Sequence, residues 1–385
     1  IFYGGPDISV NGQSLGFEKS ASLQSPDSGV TPTFILKDGL SGVQLSGQTL
    51  DDRFGAVPVG GRVTTNVDYF ARQRPTVYSQ QFNLGVQRQL GRDMVLEVSY
   101  IGNLSRKIPN GSLQQNQVPP NLMGAGNAQI RRPFPQFGNV SEASAPIGMN
   151  NYHSGMVRAE KRFTRGFNFL GTYTFSRSIG NATNAGGDVY GDNQVYMDQY
   201  NRRLDRGPDA LDIVHRFAWS SVYELPVKPQ QRWLALIAGG WSVGSIVNMQ
   251  SGGPFTVSTQ VNNTNAFSAG ANRANVLRDG NLPKSQRTVA RWFDTSAFVD
   301  PPAYTFGNAG RGILRADGRI SFDFSVSKNF YFKEKKYVQF RTELFNAFNH
   351  PDFSPPNHTL GAPGFGAISS ATPGRTIQFG LRVAF

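Results

Sequence analysis

Side chains able to do chemistry are sparse in this chain, and their spacing decides what they can do. Gly12-Gln-Ser14-Leu-Gly16 and Gly240-Trp-Ser242-Val-Gly244 both have the spacing of a hydrolase nucleophile elbow. That device needs a strand, a sharp turn and a helix around its serine. Ser242 falls inside an alternating apolar and polar run, and Ser14 in a Gly-rich stretch, so neither reads as a nucleophile. His350, His358 and Asp352 are of metal-binding type, but Pro351, Pro355 and Pro356 make their segment a turn-rich loop. His215 with Asp212 has the His-plus-acid chemistry of barrel proteases without a matching cluster of carboxylates. Asp188, Asp192 and Asp198 among Gly186, Gly187 and Gly191 do not follow the twelve-residue calcium loop. With no cysteine, thiolate catalysis, disulfides and Cys-type metal sites are excluded. No catalytic residue, metal or cofactor is expected, and the chain does not read as an enzyme. The best ligand-contact candidates are Arg202, Arg203 and Arg206 beside Tyr196 and Tyr200, because guanidinium forks and aromatic faces suit anionic or sugar-like groups. The competing reading is a loop salt-bridge cluster with Asp205 and Asp209.

What must position such residues follows from composition and period. The 385 residues are 17% charged and include 43 Gly and a 12% share of aromatics. Soluble domains carry about 25% charge, and disordered chains lack aromatics. The net charge of +12 is dispersed, its densest run being Lys333-Glu334-Lys335-Lys336, so no nucleic-acid groove is expected. The longest apolar stretch, Trp233 to Trp241, is far short of the roughly 20 residues of a membrane helix. Any membrane crossing must therefore be made by β-structure.

The period is two. Ile320, Phe322, Phe324 and Val326 alternate with Ser321, Asp323, Ser325 and Ser327, and across the Lys333–Lys336 turn Val338, Phe340 and Leu344 alternate with Gln339, Arg341 and Glu343. Similar hairpins surround Gly91-Arg92-Asp93 and Thr164-Arg165-Gly166. A fourth joins Phe217–Leu225 to Trp241–Met249 through a turn with Pro226 and Pro229, and Ile377 to Phe385 forms a last run. This predicts about ten strands of about 9–13 residues, against a usual length of about 5–6. Ten residues at a tilt of about 45° span about 24 Å, the height of an outer-membrane apolar band. Links within hairpins are short, whereas 102–151, 178–212, 252–319 and 349–375 are long, the asymmetry of periplasmic turns and extracellular loops. The fold class expected is all-β, an antiparallel transmembrane β-barrel integral to the bacterial outer membrane. Phe322, Phe324, Phe340, Phe379 and Leu381 are expected to face lipid, and Asp323, Gln339, Arg341, Glu343 and Arg382 the lumen. Asp323 with Arg341, or Glu343 with Arg382, can pair there. Arg88, Lys161 and Lys328 have outward parity but lie near short turns, from which they can snorkel.

Several motifs in order resemble TonB-dependent receptors from Tyr78 to Phe385. They are Asp205-Arg-Gly-Pro208 before His215-Arg216-Phe217, Gly240-Trp241 leading to Gln250-Ser251-Gly252 and Pro254-Phe255-Thr256-Val257, Phe306-Gly-Asn-Ala-Gly-Arg311, and Phe340 to His350. The subgroup they look most like is the Oar-like receptors with a carboxypeptidase-regulatory-like domain. The ending, with Phe379, Leu381, Val383 and Phe385, is similar to the strand read by the barrel-assembly machinery. The resemblance implies that residues 1–385 are the C-terminal part of one barrel domain, with plug and N-terminal domains outside them. It also implies partners in the outer-membrane lipid, the plug, the TonB energy-coupling complex and an unidentified ligand taken up or exported. The start at Ile1 fits a piece of a longer protein or a processed product. Two other readings stay open: a self-contained small barrel acting as adhesin or enzyme, and a soluble all-β binding module.

Overall fold

The computed structural model describes residues 2–3, 58–60, 66–182, 196–227, 229–268, 272–333 and 336–384. The segment Gly12–Gly16, the acids Asp188 and Asp192 and the terminal Phe385 lie outside them. Ten strands follow one another along the main sheet: β1 (Phe2–Tyr3), β2 (Tyr78–Leu90), β3 (Met94–Gln114), β4 (Val140–Thr164), β5 (Phe167–Gly180), β6 (His215–Glu224), β7 (Trp241–Gln250), β8 (Arg319–Lys333), β9 (Lys336–Phe345) and β10 (Thr376–Ala384). Each pairs antiparallel with the next, as hairpins with short turns on one side dictate. Val67–Tyr69 adds a parallel strand to β4, and Gly207–Pro208 pairs with the end of β5.

Register turns the sequence period into two continuous faces, because directly opposed residues share a face. One cross-strand row reads Val86, Val98, Val157, Tyr173, Phe217, Met249 and Ile320. On the same face Phe324 lies between Ser245 and Leu344, and Leu344 opposes Ile377. Phe322, Phe340, Phe379 and Leu381 share this parity, with Phe340 and Phe379 stacked at 6.1 Å. The opposite face carries Asn329, Gln339 and Arg382 in one row, and Ser325, Glu343 and Gln378 in another. The ten strands make one antiparallel sheet with an apolar and a polar face, and no helix among the described residues is long and apolar enough to span a membrane.

Three expectations are corrected. The link between β3 and β4 is much shorter than 102–151, because the strands extend to 21 and 25 residues. Register shifts near Ile108 break the period that would have shown this in sequence. The turn between β6 and β7 holds a helix, α1 (Arg232–Ala238). Its Leu and Ala favour helix, and Gly240 at φ 72° follows its end, with room for no Cβ because Asn329 O would lie 2.5 Å away. Lastly, Lys328 does not snorkel. It is buried, its Nζ donates to Gly239 O, and the rings of Trp241 and Phe330 lie 5.5 and 5.1 Å from the ammonium.

The long connections are built structures. Phe255, Val257, Trp292, Phe293, Phe298 and Leu314 form a buried core joined by Ile368, with Phe365 packed against it, so two loops that are distant in sequence fold as one layer. Phe293 meets Phe365 edge-on at 5.2 Å, and Trp292 N donates to Gly366 O.

Candidate ligand-facing layer and lumen wall

Between β5 and β6 the chain turns its acids inward and its arginines outward. Arg202–Asp205 is a single 3-10 turn. Arg202, Arg203 and Arg206 are exposed, and none forms an ion pair within 4.0 Å among the described residues. Asp205 is buried and bonded to Arg273 of the next loop, while Arg311 donates to Asp205 O and Ala182 O. Burial pushes the Asp205 carboxyl up, and Arg273 and Arg311 pull it back. Asp209 accepts from Ser178 Oγ at 2.7 Å and from Asn150 Nδ2, and the fully buried Asp212 holds Arg315 and, at 3.3 Å, Arg177. Asp198 accepts from Gln117 Nε2 at 2.7 Å. The Asp205-Arg-Gly-Pro and Asn-Ala-Gly-Arg311 motifs thus meet in space. A Cβ on Gly207 would lie 2.5 Å from Arg311 O, so this seam requires glycine.

The expected salt-bridge cluster is therefore replaced by struts between loops, with Asp205 bound to Arg273 rather than to its neighbours. Tyr196 is not on the exposed surface. It is 4% exposed, takes a hydrogen bond from Asn110, and packs with Leu113 and Ala145; burial pushes its hydroxyl up to about 12. Tyr200 is 48% exposed and donates to Gln117 O at 3.0 Å, leaving its ring at the surface with the three arginines. The buried acids were the signal that the sequence reading missed: of Asp205, Asp209 and Asp212, spaced four and three apart, Asp205 and Asp212 face Arg273 and Arg315, 68 and 103 residues on, while Asp209 holds Ser178 and Asn150.

The polar sheet face forms an open concavity of about 600 Å3. At its centre Leu170, Val222 and Ile246 are 37%, 41% and 52% exposed on the otherwise polar parity of three adjacent strands. Arg158 pairs with Glu160 at 2.6 Å on one side, and Arg341 with Glu343 at 2.5 Å on the other. Neither expected cross-strand pair forms. Register sets Ser327 and Gly380 opposite Arg341, while Asp323 accepts from Asn346 N at 2.8 Å.

Ser242 sits within β7, its Oγ 2.6 Å from Ser327 Oγ. Tyr173 Oη lies 2.8 Å from His215 Nδ1, and His358 packs on Phe255. No group of three or more metal-ligating side chains occurs among the described residues.

A family model described as outer membrane beta barrel domain matches residues 1–378. No curated protein matches the chain. Among solved structures it is similar to the outer membrane transporter YddB from Escherichia coli (11% identity, TM-score 0.43, 84% of this chain and 35% of that one). It is also similar to the FrpB iron transporter from Neisseria meningitidis (12%, 0.41, 83% and 33%) and the ferric-catecholate import receptor Fiu from E. coli (12%, 0.41, 86% and 32%). The chain spans about a third of the length of these structures.

Proposed function

The chain belongs to the family of outer membrane β-barrel domains and is integral to the outer membrane, and from that premise we propose that it is the C-terminal part of the barrel of an Oar-like TonB-dependent receptor. Two free edges carry this reading. Among the described residues β10 pairs on one side only, with β9, and β2 beyond Ser79 pairs only with β3. Backbone groups left unpaired in lipid cost several kcal/mol each, so further strands of the same receptor must cover both edges. The ordered motifs from Asp205 to His350 support the same assignment.

The lumen wall suits a folded plug. An apolar centre of Leu170, Val222 and Ile246 flanked by ion pairs has the composition of a protein interface, dry in the middle and charged at the rim. Outside, Tyr200, Arg202, Arg203 and Arg206 present a basic, aromatic surface for an anionic or sugar-like ligand. In this reading the receptor takes up or exports that ligand with energy from the TonB complex, and β10 with Phe379, Leu381, Val383 and Phe385 is the assembly signal. The barrel supplies selectivity and a path, and no covalent chemistry.

Expressed in the outer membrane of a Gram-negative host, the complete protein should run on a gel as a compact form that heating converts to a slower one. The isolated 385-residue chain should show no such form. A compact, heat-sensitive band from the isolated chain would replace this proposal with the self-contained small barrel.

A further inference from the structure

At the short-turn end of the sheet, α1 is held against the apolar face. Trp241 Nε1 donates to Ile237 O at 2.8 Å, and Lys328 Nζ donates to Gly239 O. Trp241 and Lys328 oppose each other on the apolar parity of β7 and β8. Both anchors therefore reach the end of the helix from the side of the sheet that faces lipid, which puts the helix outside the barrel wall. An ammonium and an indole N–H satisfy its last carbonyls, which would otherwise be left without partners near the bilayer.

The rest of α1 has an unusual surface. Trp233, Leu236 and Ile237 are 61%, 51% and 65% exposed. Their spacing of i, i+3 and i+4 places all three on one helical face. Next to the helix, Phe332 at the end of β8 is 71% exposed and lines one cavity of about 700 Å3 with Leu236 and Trp241, whereas Tyr331 lies on the polar parity, where its hydroxyl accepts from Asn329 Nδ2 at 3.2 Å. The patch is continuous with the apolar sheet face. The short-turn end of an outer-membrane barrel is periplasmic, so this patch lies at the level of the inner-leaflet headgroups, where Trp and Tyr concentrate.

We propose that α1, with Phe332, is an interfacial anchor seated in the inner leaflet of the outer membrane, its Trp233, Leu236 and Ile237 face inserted between phospholipid headgroups and the first acyl carbons. A helix lying in the interface plane buries its apolar face about 5–10 Å into that boundary. The Lys328 and Trp241 bonds fix its position, so the anchor sets the depth of the β7–β8 part of the wall.

The test uses the complete protein in phosphatidylethanolamine and phosphatidylglycerol vesicles brominated at acyl positions 6,7 or 11,12. The difference in tryptophan emission between the wild type and Trp233→Phe isolates the indole of Trp233. The expected result is several-fold stronger quenching of this component by the shallow bromines than by the deep ones, with little quenching by aqueous acrylamide. Replacing Lys328 by Met should weaken the shallow quenching while the strands stay folded by circular dichroism. Quenching by acrylamide and not by lipid would place the helix in periplasmic water and overturn the proposal. Insensitivity to both quenchers would show that protein covers the patch and would overturn it equally.

Discussion

Replacing Phe324 with Arg, and separately Ser325 with Arg, tests the two-faced wall at adjacent positions. Phe324 lies on the apolar face between Ser245 and Leu344, with the Phe348 ring edge-on at 5.9 Å. It is four residues from Lys328 and six from Phe330, about 14 and 20 Å along the strand, or about 10 and 14 Å in depth at a tilt of about 45°. That depth is close to the midplane of a band about 25 Å tall, where an arginine costs about 2–4 kcal/mol. Loss of the aromatic contact adds about 0.5–1.5 kcal/mol. Unlike Lys328, a residue at 324 has no helix carbonyl to donate to. Ser325 points the other way, between Gly244 and Glu343, and an arginine there meets a carboxylate in the wet lumen, within about 0.5 kcal/mol of neutral. In guanidinium unfolding of the protein reconstituted in vesicles, Phe324→Arg should lower the folding constant about 30- to 1,000-fold from the charge term alone. Ser325→Arg should scarcely move it. Equal losses, or a larger loss at 325, would refute the assignment of faces.

Asp205→Ala strands the buried Arg273 guanidinium, so it should cost about 3–5 kcal/mol of loop-layer stability, read as faster tryptic cleavage within 196–213. The double change Asp205→Leu with Arg273→Met should restore much of the protection. Gly207→Ala pushes a methyl against Arg311 O at 2.5 Å and should cost about 1–3 kcal/mol, opening the same segment to protease while strand circular dichroism is unchanged. Hydrogen bonding from Ser296, joined by Arg278 and Arg291, holds the Asp294 carboxyl at about 2, below its ordinary 3.8. A depressed native value means that its stabilisation is full above pH 3.8 and is lost as pH falls through about 2. Emission from the neighbouring Trp292 should accordingly hold at pH 4 and shift towards pH 2, and Asp294→Asn should remove that transition.

The β8–β9 hairpin was legible because its alternation from Ile320 to Phe330 is broken only at Lys328 and each position has one face to choose. The outer halves of β3 and β4 were not, since buried Ala143 and Ala145 and the shifts at Ile108 leave no apolar period. Nor was the loop core. Phe255, Trp292, Phe293 and Phe365 sit in irregular segments, and their partners are far apart in sequence, so no local pattern pairs them. Helix α1, at seven residues, is too short to show a period of 3.6. Among the site residues, the arginines and Tyr200 read as exposed because charge and loop context favour it. Tyr196 has the same context but packs under Asn110, and only tertiary structure distinguishes the two tyrosines.

The claim that one face of this sheet meets lipid and the other water is tested most directly by nitroxide scanning of β8. These 385 residues contain no cysteine, so single cysteines from 320 to 327 can be labelled in the complete protein in vesicles once any cysteine outside them is replaced by serine. Collision with oxygen should peak at 320, 322, 324 and 326, and collision with a water-soluble nickel chelate at 321, 323, 325 and 327. Nickel reaching position 324 as readily as 325, or no alternation along the strand, would contradict the account.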